Sequence, residues 1–257
     1  MRLFVFEDEK RGPVVFKSLL ALYFPKETKK ESDILFFTFN TGIHKLYKEL
    51  KETDMSLFRV LQQEDRKRKT EKQCLQNCIE DDISEIFLFF DYDFHNRHID
   101  LETWNNQIRE MLDYFNEETD NGKLYICYPM FEAIRYTKEL PDDNYYTYCV
   151  DRKSCISNDF KKMAAAFSRE IYPNLDFILH DGRIQKEAVM QNWEHLKRQN
   201  VCKANYICNN RNDMPLRKSD VTQNMIFTNQ LSKYVYTDDC KVAILSGFTL
   251  FLYDYLK

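Results

Sequence analysis

Short apolar runs alternate with longer amphipathic segments through the first half of the chain. The four apolar runs, which are rich in aromatic side chains, are residues 2–6, 34–39, 86–90 and 124–128. The amphipathic segments that follow or separate them are residues 14–24, 41–51, 55–81 and 101–115. Runs this short are typical of buried strands, and apolar positions at helical spacing predict helices. The order therefore predicts β-α-β-α-β-α-β, an α/β fold with a parallel sheet and right-handed crossovers.

In the second half of the chain, helical spacing dominates. A tyrosine-rich run at residues 145–150 predicts one additional strand at a sheet edge. Helices are predicted at residues 131–139, 158–171, 184–200, 221–231 and 241–256. We therefore expect an α/β domain over residues 1–140 and a mainly helical domain or extension over residues 141–257.

The composition is that of a globular chain. Of 257 residues, 44% are apolar and 15% are aromatic, which is ample for a core, and the formal net charge is −4. No apolar run approaches the length of a membrane span, and the charged N-terminus does not resemble a signal peptide. The eight cysteines lack CxxC spacing, so we expect reduced thiols and a cytoplasmic location.

Acidic side chains follow three of the four predicted strands. Glu7 comes directly after the first, Asp91 and Asp93 come at the end of the third, and Glu132 lies shortly after the fourth. The carboxyl ends of parallel strands meet at one edge of a sheet, where ligands of open α/β sheets bind. Carboxylates gathered there repel each other unless a cation joins them, and their oxygens suit Mg²⁺ or Mn²⁺. The alternative is a turn in which the Asp pair only makes local hydrogen bonds.

A cluster of this kind suits phosphoryl transfer, because metal ions clamp the attacking and leaving oxygens while a free carboxylate moves the proton. We predict Glu7, Asp91 and Asp93 as catalytic residues, with Glu7 as the general acid or base. The predicted metal ligands are Glu7, Asp91, Asp93 and Glu132. Arg135 and His95 stand near these carboxylates in the sequence and are candidate phosphate contacts.

The acidic motifs resemble those of one family. A strand ending in Glu (RLFVFE, Glu7) and a strand ending in Asp-x-Asp (FLFFDYD, Asp91 and Asp93) resemble TOPRIM domains, the catalytic modules of topoisomerases, primases and certain nucleases. The stretch YPMFEAIRY, with Glu132 and Tyr136, resembles the Glu-x-x-x-Tyr element of TOPRIM nucleases linked to ABC-type ATPases. Those include the overcoming-lysogenisation-defect (OLD) family and effectors of anti-phage defence systems. The resemblance covers roughly residues 1–140 and implies a parallel-sheet, Rossmann-like TOPRIM domain.

The resemblance also implies an activity and a partner. The activity is that of a Mg²⁺- or Mn²⁺-dependent nuclease acting as the toxic effector of a bacterial defence system. The chain has no GxxxxGK[ST] loop, so a P-loop NTPase must come from a separate protein. The related effectors depend on a partner ABC-type ATPase, and we expect the same here. The apolar and aromatic residues of the helical half are expected to serve docking or homodimerisation.

The implied substrate is nucleic acid, either RNA such as tRNA or DNA. A small net charge makes strong binding to a long duplex unfavourable, which favours tRNA, or a nicked or single-stranded end. Besides Arg135, basic groups expected to contact the substrate are Lys153, Lys161, Lys162, Arg169, Lys186, Lys197 and Arg198.

The first acidic motif departs from the TOPRIM pattern. A TOPRIM strand usually ends in Glu-Gly, with another acidic residue four positions on. Here Asp8 follows Glu7, and Arg11 stands at the position of the second acid. Asp8 and Glu9 are therefore the candidates to supply the missing carboxylate.

Two other classes of function are compatible with an acidic sheet edge. A receiver-like signalling domain also has acidic residues after its first strand and an Asp after its third. Its acidic pair, however, precedes that Asp by far fewer residues than separate Glu7 from Asp91. The other class is a non-enzymatic interaction module whose acidic edge binds a basic partner.

Overall fold

All four predicted strands are present in the computed structural model, which describes residues 1–24, 33–68, 73–167 and 186–255. These strands are β1 (Arg2–Phe6), β2 (Ile34–Thr38), β3 (Glu85–Asp91) and β5 (Gly122–Cys127). A further two-residue strand, β4 (Asn116–Glu117), precedes β5. It has no apolar residue, so no hydrophobic pattern indicated it.

The five strands form one sheet in the order β2-β1-β3-β5-β4. Strand β1 runs parallel to both β2 and β3, and its register pairs Phe6 with Thr38 and with Phe89. The expected parallel pairing is therefore confirmed around β1, whereas β4 pairs antiparallel with β5. Gly122 begins β5 with a φ of 95°, and a Cβ there would lie 2.8 Å from Leu88. Both the backbone conformation and the close approach require glycine at this point.

Among its described residues, the first half contains four helices, and all but the third have nearly their predicted bounds. They are α1 (Arg11–Tyr23), α2 (Ile43–Thr53), α3 (Leu57–Lys67) and α4 (Leu101–Tyr114). Polar side chains begin two of them, because Ser56 accepts from the N–H of Arg59 and Asp100 from that of Thr103. The aromatic rings of β1 pack against α1, with Phe4 and Phe16 centroids 4.5 Å apart.

The prediction of one long helix over residues 55–81 is wrong beyond α3. Residues 73–79 are not helical, and residues 69–72 lie outside the described part of the chain. Side chains of α3 form hydrogen bonds with the backbone of the non-helical residues 73–79. Gln62 Nε2 donates to the carbonyls of Leu75 and Cys78, and Asp65 Oδ2 accepts from the N–H of Leu75. These bonds replace the helical ones, so Cys74 and Cys78 do not share a helix face.

In its described residues, the second half contains five α-helices and a small sheet. The helices are α5 (Arg152–Ile156), α6 (Asp159–Ala166), α7 (Lys186–Asn209), α8 (Gln223–Gln230) and α9 (Gly247–Tyr255). Strands β6 (Cys149–Asp151) and β7 (Lys241–Ala243) pair antiparallel in a two-stranded sheet of their own. The helix predicted over residues 241–256 is therefore wrong at its start, where β7 lies. The helix expected at residues 131–139 is reduced to a 3-10 helix at Phe131–Arg135.

The edge strand predicted at residues 145–150 is also wrong. Tyr145–Thr147 is a 3-10 turn, and only the end of this run belongs to β6. The buried ammonium of Lys203 donates to the carbonyls of Tyr145 and Tyr148. The Tyr145 hydroxyl donates to Asn200 Oδ1 at 3.0 Å. Long-range side-chain bonds thus satisfy the turn, which a tyrosine-rich sequence pattern does not reveal.

The chain divides into two compact units. The first comprises Met1–Phe90 with Asp100–Leu124, and the second comprises Asp91–Ile99 with Tyr125–Lys257. The second unit thus starts before residue 141, the boundary expected from the sequence. Among the described helices, none combines the length and the apolar character that crossing a membrane requires.

Candidate functional site

Glu7 lies where β1 ends and is half-buried. Its N–H donates to the carbonyl of Phe89 at 3.3 Å, and its own carbonyl accepts from the N–H of Asn40 at 2.9 Å. Its backbone is therefore fixed by the two neighbouring chain segments. With Lys10, Arg11 and other neighbours, Glu7 lines a cavity of about 510 Å³. The predicted catalytic carboxylate thus borders an open space that also carries positive charge.

Asp8 has a structural role beside Glu7. Its Oδ1 accepts from the backbone N–H groups of Lys10 and Arg11, at 2.9 and 2.7 Å. Its Oδ2 accepts from the Nε of Arg11 at 3.1 Å. Both oxygens therefore serve the start of α1, where Lys10 provides no side-chain cap. Glu9 is exposed and accepts from Asn40 Nδ2 at 2.7 Å.

A tight turn follows β3 and carries the Asp pair. Asp91 is the last residue of the strand, and Asp93 has a φ of 54°. The N–H of Asn96 donates to the Asp93 carbonyl at 2.8 Å, which closes the turn. Tyr92 and Phe94 are buried, whereas Asp91 and Asp93 are half-buried. Apolar side chains on both sides of Asp93 thus anchor the turn and hold its carboxylate in place.

The surroundings of Asp93 disfavour the charged form of its carboxyl group. Burial raises its pKa, and the charges of His95 and Lys161 only partly oppose that effect. His95 Nδ1 lies 3.8 Å from Asp93 Oδ1. The sequence indicated His95 as a neighbour of the site, whereas Lys161 comes from α6 and was one of several basic candidates.

Arg152, on α5, binds the backbone of the turn that follows β3. Its Nε donates to the Phe94 carbonyl at 3.1 Å, and its guanidinium also donates to the Asn96 carbonyl. The sequence analysis did not predict this role of Arg152. No local sequence pattern indicates this contact, because 56 residues or more separate Arg152 from the carbonyls that it binds.

Glu132 and Arg135 lie on the 3-10 helix Phe131–Arg135 after β5, and both are half-buried. Tyr136, the tyrosine of the Glu-x-x-x-Tyr resemblance, is 9% exposed and stacks on Phe160 with centroids 5.1 Å apart. Burial raises its pKa. This tyrosine is therefore part of the hydrophobic core in the second unit.

The other basic candidates are dispersed. Lys162 and Lys197 pair with Asp159 and Glu194 at 3.0 and 2.7 Å. Lys153, Lys186 and Arg198 are exposed, and Arg198 lines a different cavity of the second unit. Arg169 lies outside the described residues.

The predicted ligands fit Mg²⁺ or Mn²⁺ in chemistry, because carboxylate oxygens are what these ions bind. In residues 1–24, 33–68, 73–167 and 186–255, however, no group of three or more His, Cys, Asp or Glu side chains is arranged to hold a metal ion. The structure therefore offers suitable donors without a ready-made cage.

Comparison of the chain with protein-family models, with curated proteins and with solved structures finds no match in any of the three.

Proposed function

We propose that this chain is a metal-dependent nuclease of TOPRIM type, with Glu7, Asp91 and Asp93 as its catalytic residues. The observation that carries the proposal is the pairing of β1 with β3. In these parallel neighbours Phe6 pairs with Phe89. Glu7 comes directly after Phe6, and Asp91 comes two residues after Phe89, so both lie at the carboxyl ends of their strands. The strand order reverses between β1 and β3, and ligands of open α/β sheets bind at such a reversal.

Asp91 and Asp93 are the proposed ligands of Mg²⁺ or Mn²⁺, and Glu132 is a further ligand or orients one. A divalent cation supplies positive charge to the carboxylates and polarises phosphodiester oxygens when bound. The raised pKa of Asp93 supports this role, because its charge lacks full compensation. Like charges repel, so without a bound cation the carboxylates are expected to stay apart. This repulsion accounts for the lack of a preassembled metal group among the described residues.

Glu7 is the proposed general acid or base, which takes a proton from the attacking oxygen or gives one to the leaving oxygen. Lys10 and Arg11 line the same cavity as Glu7 and bring positive charge for a phosphate. Arg135 and His95 are the further proposed phosphate contacts. Together these cations offset the repulsion between the carboxylates and the nucleic-acid backbone.

The biological setting is part of the proposal. The chain acts in the cytoplasm as a toxic effector of anti-phage defence, and a separate ABC-type ATPase holds or triggers it. Homodimerisation through the helical half is proposed as well. The substrate is RNA such as tRNA, or DNA with a nick or a single-stranded end, because the dispersed basic groups favour weak and salt-sensitive recognition.

A receiver-like function is the second candidate, because the order β2-β1-β3 also occurs in doubly wound signalling domains. In that case Asp91 accepts a phosphoryl group from a small donor and no phosphodiester is cut. The third candidate is a non-enzymatic interaction module whose acidic sheet edge binds a basic partner.

One experiment separates the three candidates. The purified chain, alone and with the proposed partner ATPase, is incubated with Mg²⁺ or Mn²⁺ and supercoiled DNA, linear DNA or total tRNA. Cleavage by wild type and by the exposed-carboxylate control Asp159→Asn, but not by Asp91→Asn, is the expected result. Stable phosphorylation of Asp91 by acetyl phosphate without cleavage indicates a receiver. Neither activity, under conditions where metal binds, indicates the interaction module.

A further inference from the structure

A second cavity, of about 200 Å³, lies wholly within the second unit, and none of the proposed catalytic carboxylates lines it. It is bordered by the 3-10 turn at Tyr145–Thr147 and by the side of α7 that carries Arg198 and Gln199. A cavity of this size has a span of about 6 Å, the cube root of its volume. It is therefore large enough for a small organic molecule and too small for a nucleotide of several rings.

Gln199 provides an unsatisfied acceptor among the residues that line this cavity. The residue is 8% exposed, and its Oε1 is buried without a hydrogen-bond partner among the described residues. Its Nε2 donates to Thr137 Oγ1 at 3.2 Å. The Thr137 proton has two acceptors of its own, the Glu139 carbonyl at 2.8 Å and Asp142 Oδ2 at 3.3 Å. The amide orientation is therefore fixed by its surroundings, and Oε1 is left facing no donor.

The charges around the cavity have both signs. The carboxylate of Asp142 already accepts from the N–H groups of Lys138 and Asn144 and from the Tyr148 hydroxyl. Asp143 and Arg198 are exposed, and neither forms an ion pair or hydrogen bond within the described ranges. One carboxylate and one guanidinium thus remain for a ligand in the same small space.

We propose that this cavity binds a free α-amino acid, a zwitterion whose two charged groups match the two kinds of side chain. The ammonium pairs with Asp143 and the carboxylate accepts from Arg198, so each charge of the ligand meets an opposite charge. Gln199 Oε1 is buried, so it gains the ammonium as its missing donor only when the Gln199 side chain turns towards the cavity. The ring of Tyr146 forms a wall of the cavity against which the amino-acid side chain packs. This site is independent of nuclease activity.

The test measures binding of each of the 20 standard L-amino acids to the full-length chain by isothermal titration calorimetry. Matched variants are Asp143→Asn and Arg198→Ala, with Lys186→Ala as the control, because Lys186 is an exposed cation of α7 that does not line the cavity. We expect saturable binding of at least one amino acid to wild type and to the control. Each cavity variant should weaken it at least about tenfold.

Chemical controls use the same amino acid without one charge. N-acetylation removes the ammonium and amidation removes the carboxylate, so each change should weaken binding to wild type at least about tenfold. Lack of saturable binding by every amino acid overturns the proposal. Binding that survives both cavity variants, or preferential binding of a nucleoside monophosphate included as a rival ligand, overturns it as well.

Discussion

His95 Nδ1 lies 3.8 Å from Asp93 Oδ1, beyond hydrogen-bond distance yet close enough for attraction whenever the imidazole is protonated. The Asp93 carboxyl is half-buried, and the effect of burial, which raises its pKa, exceeds the opposing effects of His95 and Lys161. The structure therefore keeps a carboxylate whose charge is only partly compensated. A bound cation relieves such an imbalance, which links the geometry of this turn to the proposed metal centre.

Replacing Asp93 with Asn should stabilise the metal-free protein at neutral pH. The folded state raises the pKa of Asp93 above its ordinary value of 3.8, so this group favours folding when protonated and loses that contribution as pH rises through the raised pKa. We expect a gain of about 1 kcal/mol, or a rise of about 2–4 °C in Tm, at pH 7. Thermal unfolding from pH 4 to 8 measures it.

Asp159→Asn is the matched control for that experiment, because hydrogen bonds from Ser157 and Lys162 lower the pKa of Asp159. Its charged form therefore favours folding above the ordinary carboxyl pKa, and its removal should lower Tm at pH 7. A fall in Tm for Asp93→Asn as well would show that the Asp93 charge is structurally satisfied.

Replacing Arg152 with Ala should loosen the turn after β3. The guanidinium donates to the carbonyls of Phe94 and Asn96, and without it both lose a charged donor. We expect faster amide exchange over residues 94–98 and a loss of about 1–3 kcal/mol in the free energy of unfolding. Hydrogen exchange detected by mass spectrometry measures the local effect. The exposed neighbour Lys153→Ala should leave exchange unchanged, and equal exchange in both variants would contradict the anchoring role.

Asp8→Ala should cost stability without weakening metal binding. Asp8 accepts from the first N–H groups of α1, and loss of such a cap costs about 1 kcal/mol. Glu9→Gln is the control, because its amide oxygen still accepts from Asn40 Nδ2. Chemical denaturation and Mn²⁺ titration of both variants measure the two effects. A tenfold loss of Mn²⁺ affinity in Asp8→Ala would make this residue the second acid of the site.

Lys203 should make the stability of the protein depend on pH above neutrality. Burial lowers its pKa to about 7, and the charges of Cys149 and Asp142 only partly oppose this. Between pH 7 and the ordinary lysine pKa of 10.5, the unfolded state binds the proton that the folded state lacks, so stability rises with pH. The expected rise between pH 7 and 9 is on the order of 2 kcal/mol.

Urea unfolding at a series of pH values measures this contribution. Lys203→Met should flatten the rise, although the carbonyls of Tyr145 and Tyr148 lose their donor and overall stability falls. Lys186→Met, at an exposed position of α7, should keep the wild-type slope. The same slope in all three proteins would contradict a lowered pKa for Lys203.

Elements with a local signal were predictable from the sequence. Strand β1 was predicted at its observed bounds because four consecutive apolar residues after Arg2 form a short buried run that ends at three acidic residues. Helix α4 has apolar residues at helical spacing and begins at Leu101, directly after its cap Asp100, so its predicted start at residue 101 is confirmed. The carboxylates Glu7, Asp91 and Asp93 could be placed at strand ends for the same reason.

Features made by distant contacts were not predictable. The tyrosine run at residues 145–150 has the composition of a strand, but Lys203 and Asn200 hold it as a turn. The pattern after α3 is helical in spacing, yet Gln62 and Asp65 bind its backbone in another conformation. The support of the candidate site by Arg152 likewise depends on a contact that no local pattern records.

The most direct test of the central claim is the binding of Mn²⁺, because it needs neither substrate nor partner. Electron paramagnetic resonance of free Mn²⁺ is recorded during titration into wild type, Asp91→Asn/Asp93→Asn and Asp159→Asn. Our account predicts saturable binding to wild type and to the Asp159 variant, and affinity at least about tenfold weaker in the double variant. Equal Mn²⁺ affinity in all three proteins, or no saturable binding to wild type, would contradict it.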